Sequence, residues 1–410
     1  MKKILSKIWG GVLLLSLSMS LTSCEGALDD ILGEWSRPAG IKEGTFSYAT
    51  TSQVIGITVG DFVNPITIEG DGKVTYSSSD PTIAEVDPET GVITPHKTGT
   101  VTITATITDG KKYAYETKEI SYTLKVNLPI MKWDDTNKKL VEADAEDGAM
   151  VMPAESELET YETNPDFKIL PGGTYVIAED MTIGNHIRFD GDVSIILCDG
   201  KTLTLSCMFV GNNHELNIYG QSENTGTLKS CKVMSGYKPL NVYGGIIDIE
   251  SNHLAAISAY GMNVYGGTVN AISKSNSSGS GIQICSSDIN KLTIYGGSVT
   301  AKGTTVGGYN SSYGIAGDYD GGYMTDVIIY GGSLEAVGYY AYNGHNAIRG
   351  NLTVMGGSVS VYDNSGSAVS GNITAGAGVT LEESDDATDA TSWAPISSTS
   401  STKKYIRTKQ

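Results

Sequence analysis

Apolar and polar residues alternate strictly in short runs that recur between Leu216 and Val361. The clearest run is Leu292-Thr-Ile-Tyr-Gly-Gly-Ser-Val-Thr-Ala301, with close copies beginning at Leu240, Met262, Val327 and Leu352 and a looser one at Leu216. A period of two is the strand period, so Leu292 and Ile294 face one way and Thr293 and Tyr295 the other. Gly296-Gly297 then turns a corner that side chains would crowd, and Val299 and Ala301 resume the apolar face. A third short stretch accompanies each unit: Ala256-Ile257, Gly281-Ile282, Gly314-Ile315, Ala347-Ile348 and Ala368-Val369. No repeat contains a helical window.

Three short strands per unit, repeated every two to three dozen residues, predict a parallel β-solenoid. Stacking buries one face of each strand and pairs its backbone with the layers above and below. A propeller would need about four strands per blade, and a sandwich would not repeat one glycine corner. The expected fold class is therefore all-β. From Gly172, the runs Gly172–Asp180, Met181–Ile183, Val193–Leu197 and Lys201–Leu205 join the same pattern. Together with Leu216-Asn-Ile-Tyr-Gly220, they resemble the right-handed parallel β-helix modules of bacterial surface proteins. Those modules are often carbohydrate-binding and are related in architecture to pectate lyases. Layers running to about Val379 at a strand spacing near 4.8 Å imply a rod on the order of 40 Å.

The pattern changes in the N-terminal half. Residues 1–23 combine Lys2, Lys3 and Lys7 with an apolar run from Val12 to Leu21, too short to span a bilayer as a helix. They end in Leu21-Thr-Ser-Cys24, which resembles the lipobox of bacterial lipoproteins and implies lipidation of Cys24 and a place at the outer membrane or cell surface. Glu25, Asp29 and Asp30 resemble an export tag for surface display. Residues 24–46 read as a spacer. Across 47–127, Val74–Pro81, Ile83–Asp87, Gly91–Thr94, Thr98–Ala105 and Tyr122–Val126 are short alternating strands with turns between, the cadence of a β-sandwich. These segments resemble the bacterial Ig-like domain, group 2, which implies a spacer in a surface protein. Residues 128–171 read as an acidic linker with little strand pattern, whose Tyr161–Leu170 part helps to cap the solenoid. Residues 172–380 are the solenoid itself, and 381–410 a polar loop with Asp385, Asp386 and Asp389 and a closing strand at Lys403–Thr408.

Charge narrows the function classes. The formal net charge is −18, and becomes −21 once residues 1–23, with three lysines and no acid, are removed. Such a chain repels phosphate backbones, so nucleic acid is not an expected partner. Cys198, Cys207, Cys231 and Cys285 lack a short repeated spacing, and buried thiols are the preferred reading over disulfides. His214, His253 and His345 stand apart from one another, without zinc spacing.

Two sets of aromatics are candidate binding surfaces. Tyr219, Tyr243, Tyr265, Tyr295 and Tyr330 share one unit position, face outward beside Asn217, Asn241, Asn263 and Thr293, and would stack one strand spacing apart. Such a ladder either stabilises the sheet, which is the preferred account, or offers a strip on which sugar rings stack. The second set lies in the longest insertions: Tyr309, Tyr313, Asp318, Tyr319, Asp320, Tyr323, Tyr339, Tyr340 and Tyr342. Solenoid insertions form loops, commonly on the binding face. Asp318 and Asp320 would bring two carboxylates toward a calcium site, short of the six to eight oxygens that calcium takes; no other cofactor is implied. Asp248, Glu250, Glu335, Lys274, Lys302 and Arg349 do not form the grouped carboxylates of β-helix hydrolases or lyases. The expectation is a lipid-anchored surface protein that binds an extracellular glycan or a host or cell-surface molecule. A purely structural stalk and a polysaccharide-degrading enzyme are the alternatives.

Overall fold

The computed structural model describes residues 41–211, 213–252, 254–275, 279–286, 290–304, 312–317, 324–339, 346–389 and 391–409. The described chain is all-β apart from one short 3-10 turn at Glu155–Glu157. Its larger part is a stack of parallel strands in three columns. The first column holds 173–177, 193–197, Leu216–Gly220, Leu240–Val242, Met262–Val264, Lys291–Ile294, Thr325–Ile329, Gly350–Val354 and Ile373–Ala375, each pairing with the next. The second runs from Met181–Ile183 through Thr268–Ser273 and Ser298–Gly303 to Ser358–Asp363. The third includes Met208–Val210, Ala255–Ala259, Gly279–Ile284 and Ser312–Ala316, and ends in single bridges at Ile348 and Val369.

Register explains why the repeat looks as it does. Met262 pairs with Leu292 and Leu292 with Val327, so equivalent residues stack directly. Leu292, Ile294, Val299 and Ala301 are fully buried, and the apolar residues of all three columns form one core from Met152 to Ile406. Burying each such aliphatic side chain contributes roughly 1.5–3 kcal/mol. The second glycine of each pair is fixed by two constraints at once. Gly297 has φ +76°, and a Cβ there would sit 2.5 Å from the Gly267 carbonyl oxygen in the layer before. Only glycine tolerates both the left-handed backbone and that approach.

The N-terminal part is built on a four-stranded sheet in the order Ser52–Gly56, Glu119–Asn127, Gly99–Ile107, Val74–Ser78. Phe46 is buried and Lys42–Glu43 pairs with Tyr113–Ala114, so this domain begins before the predicted limit of the spacer.

The acidic linker departs most from expectation. Pro129–Asp134 and Lys139–Asp144 pair antiparallel as a hairpin. Its turn is held by the Asp134 carboxylate, which accepts hydrogen bonds from the Thr136 and Asn137 backbone N–H groups, and Lys138 takes φ +52°. Ala143 stands opposite Ile130 on one face and Leu140 opposite Trp133 on the other, where Glu142 and Asp144 also lie, so neither face reads as a plain apolar alternation. Ile130 and Leu128 then join Ile55, Leu124 and Val126 of the four-stranded sheet and Val176, Ile196 and Cys198 of the stack in one core. The N-terminal domain is therefore packed against the stack through the hairpin, not hung from a solvated connector.

Both ends of the stack are covered. At the N-terminal end the cover is formed by 150–160 together with Phe167–Leu170: Met150–Val151 and Glu159–Thr160 pair with the first strand, Phe167–Ile177, while Met152, Leu158 and Leu170 enter the core. At the other end Tyr405–Thr408 lies antiparallel on Ser358–Asp363 and carries Leu381–Ser384 and Ala394–Pro395 beyond it. Reversal of strand direction there stops the parallel pairing from continuing.

Candidate functional site

The outward face of the first column carries the tyrosines in file. Successive rings of Tyr219, Tyr243, Tyr265, Tyr295 and Tyr330 lie 4.7, 4.8, 5.0 and 5.3 Å apart and within 8° of parallel. Beside them the Asn241 amide donates to Asn217 Oδ1 and the Asn263 amide to Asn241 Oδ1, each at 2.9 Å. The acidic hairpin lies over this face. Trp133 meets Tyr265 at 4.9 Å and Tyr295 at 5.4 Å, and the Gln221 amide donates to the Pro129 carbonyl oxygen. Burial, first, pushes the phenols of Tyr243 and Tyr265 up to about 12, and their stacked neighbours push the same way. Only the far end is open, where Tyr330 is 52% exposed. Most of the strip is thus occupied by the protein itself and is closed to a sugar.

Of the insertion set, Tyr309, Asp318, Tyr319, Asp320, Tyr323, Tyr340 and Tyr342 lie outside the described residues, as does Cys24. Tyr313 stands in the third column with the Arg349 guanidinium 5.9 Å from its ring centroid, and Tyr339 is exposed and pairs its backbone with Ser312. Among the described residues no group of three potential metal ligands comes together. His214 faces Asp192 at 3.4 Å; His253 and His345 lie outside the described residues.

The cysteine expectation is corrected. Cys207 and Cys231 are joined by a disulfide, with Cα atoms 5.4 Å apart. Both follow second-column strands in consecutive layers, so stacking brings together residues that are distant in sequence. Cys198 is a buried thiol, which burial raises to about 11.

A different surface has the makings of a binding site. At the C-terminal end of the second column an open groove of about 850 Å³ runs over the outward faces of the last strands. Register sets its floor: Thr300, Glu335, Ser360 and Arg407 form one row, and Lys302, Val337, Tyr362 and Tyr405 the next. The last row ends in two stacked rings, Tyr362 and Tyr405, 4.5 Å apart. Trp393 stands over them as a wall, 6.3 Å from Tyr405, with the Arg407 guanidinium 3.8 Å from its ring centroid. The loop that carries it is closed by Asp386 and Asp389, whose carboxylates accept hydrogen bonds from Thr388 and Thr391. These contacts hold both carboxyls below their usual range.

Each cation at this groove is engaged by a carboxylate. Lys302 pairs with Glu335 at 2.8 Å, and Arg407 and Lys409 both pair with the buried Glu382. What remains for a ligand is aromatic surface, the hydroxyls of Ser298, Ser333, Ser358 and Ser360, and paired polar groups. Trp393, Tyr362 and Tyr405 were not legible as a site in the sequence. The signal was a break in pattern: Tyr362 stands where earlier layers have Ile272, Lys302 and Val337.

With this geometry in hand, comparison with known proteins adds one family. The family model of the bacterial Ig-like domain (group 2) matches residues 46–117. The last strand of the four-stranded sheet, Glu119–Asn127, lies just beyond the match. No curated protein matches the chain. The N-terminal β-domain is thus similar to a spacer-type Ig-like domain of bacterial proteins.

Proposed function

We propose that this chain is a lipid-anchored surface protein that binds extracellular carbohydrate along a right-handed parallel β-helix, which the three columns of stacked strands compose. The Ig-like domain holds the helix away from the membrane, and Cys24 carries the lipid. The observation that carries the binding reading is the groove under Trp393. Sugar rings present apolar C–H faces and a rim of hydroxyls, and they stack on flat aromatic side chains while hydrogen-bonding to polar neighbours. Trp393 with the Tyr362–Tyr405 pair supplies the first element and the serine and threonine rows the second. Because each of its cations already has a carboxylate partner, the groove suits an uncharged oligosaccharide.

A degradative reading asks for two carboxyls placed across a scissile bond. Glu335 and Glu382 are each engaged by cations, which favours binding over bond cleavage. The test is a glycan array of neutral oligosaccharides probed with the purified chain and with Trp393→Ala. The proposal expects a defined set of ligands whose signal falls at least tenfold in the variant; no ligand, or an unchanged signal, overturns it. For the anchor, labelled fatty acid is expected to enter the chain and to be lost in Cys24→Ala, and protease added to intact cells is expected to remove the β-domains.

A further inference from the structure

A second groove, of about 360 Å³, lies on the outward face of the third column near its N-terminal end. Register again sets its floor: Arg188 pairs with Phe209 and Phe209 with Met234, so three outward side chains run in file across layers. The turn that follows Val233–Met234 raises Tyr237 beside them, 45% exposed, and the Tyr260 ring meets it edge-on at 4.4 Å. Behind Phe209 the rings of Phe167 and His186 complete an aromatic wall, at 5.2 and 6.1 Å.

Arg188 distinguishes this groove from the one under Trp393. Its guanidinium lies 5.4 Å from the Tyr161 ring centroid, which orients it without neutralising it. Among the described residues no carboxylate lies within ion-pair distance of it. Asp190 stands at the rim by Gly211, Asp192 is already engaged by His214, and Glu159 shares the row of Arg188 two strands away, across Ile169. By contrast Arg407, in the other groove, is held by Glu382. In a chain with a formal charge of −18, an arginine left without a carboxylate at a cavity wall is a place for an anion from outside. A lone phosphate or sulfate would use the cation and leave the aromatic wall idle. A sugar acid uses both, its carboxylate on the guanidinium and its ring against Phe209 and Tyr237.

We infer that this groove binds a carboxylate-bearing sugar residue of an extracellular glycan, so that the protein has separate contact points for acidic and neutral units. The inference extends the glycan-binding reading above but stands on its own residues. The experiment titrates the purified chain with a glucuronic-acid-containing oligosaccharide and, in parallel, with the same oligosaccharide after reduction of its carboxyl groups to alcohols. Binding is followed by calorimetry and by ligand-detected NMR. The expected result is at least tenfold preference for the acidic form. That preference is lost in Arg188→Gln and weakened in Tyr237→Ala, whose exposed ring can go without unfolding the layer, and retained in Trp393→Ala. Equal binding of the two oligosaccharides, no binding of either, or an Arg188→Gln variant with native circular dichroism and undiminished preference would each overturn it. Loss of neutral-glycan binding in Trp393→Ala is read in a separate titration, so either groove can fail while the other stands.

Discussion

Two aromatic surfaces of the same stack have opposite fates. On the first column five tyrosines repeat layer after layer, each stacked on the next, and Trp133 of the acidic hairpin lies against Tyr265 and Tyr295. On the second column aromatics are absent from the repeat and arrive together at its end, where Tyr362, Tyr405 and Trp393 border an open groove. A residue that recurs in every layer finds its partner in the neighbouring layer, because stacking places equals at one strand spacing. The aromatics that interrupt the repeat come only at its end, where Tyr362 stacks on Tyr405 and the pair borders the groove. In this molecule repetition marks what holds the stack together, and its breaks mark where a ligand can enter.

The sharpest way to break the comparison is to attack the repeat itself. Gly297→Val places a branched side chain at φ +76° and against the Gly267 carbonyl. Left-handed strain of about 1–3 kcal/mol and overpacking of similar size are expected to add, so the denaturant midpoint falls sharply and the stack loses cooperativity. Next comes the cross-link between layers. Replacing Cys207 and Cys231 by serine frees a loop of some two dozen residues, and by the loop-entropy relation the chain loses about 3.5 kcal/mol. Neutral-glycan binding in the folded variant is expected to remain, since the disulfide lines neither groove.

Trp133→Ala addresses the covered face directly. Two ring contacts go, at about 0.5–1.5 kcal/mol each, and the hairpin loosens over the tyrosines. The phenols of Tyr243 and Tyr265 sit near 12 in the fold against about 10 in the unfolded chain. The fold therefore holds protons that the unfolded chain would release. Their contribution to stability is complete below about pH 10 and is lost as pH rises from there toward about 12. In the variant, tyrosinate absorbance is expected to appear at lower pH, and alkaline unfolding to begin earlier. An unchanged titration would mean that the hairpin does not cover the ladder. The smallest effect on stability belongs to Trp393→Ala. Its melting curve is expected to stay near that of the parent while neutral-glycan affinity drops at least tenfold, or about 1.4 kcal/mol. A large loss of stability with unchanged affinity would make this the structural surface and reverse the comparison.

How much of this was legible depends on the range of the interactions involved. The alternation of Leu292, Ile294, Val299 and Ala301, and the glycine pairs between them, are local signals, and the three columns follow from them. So does the strand cadence of the Ig-like domain, where Ala84–Val86, Ile93–Pro95 and Gly99–Ile107 appear close to the runs that predict them. The tyrosine ladder was legible too, since it needs only the period and the strand spacing. The hairpin that covers it was not. Acids at Asp134, Asp135, Glu142 and Asp144 mask the alternation, and nothing local says that Trp133 will meet Tyr265, more than a hundred residues later. The second groove was hidden for the same reason, because Arg188, Phe209 and Tyr237 become neighbours only once layers are in register.

The sequence alone therefore determined the period, the strand faces and the glycine corners, because those rest on backbone conformation and on contacts between equivalent residues. Tertiary structure decided which outward faces are covered, which cysteines pair and, among the described residues, which cations a carboxylate reaches. Those outcomes turn on what a distant segment brings to a given side of the stack, and the pattern at either place carries no record of the other.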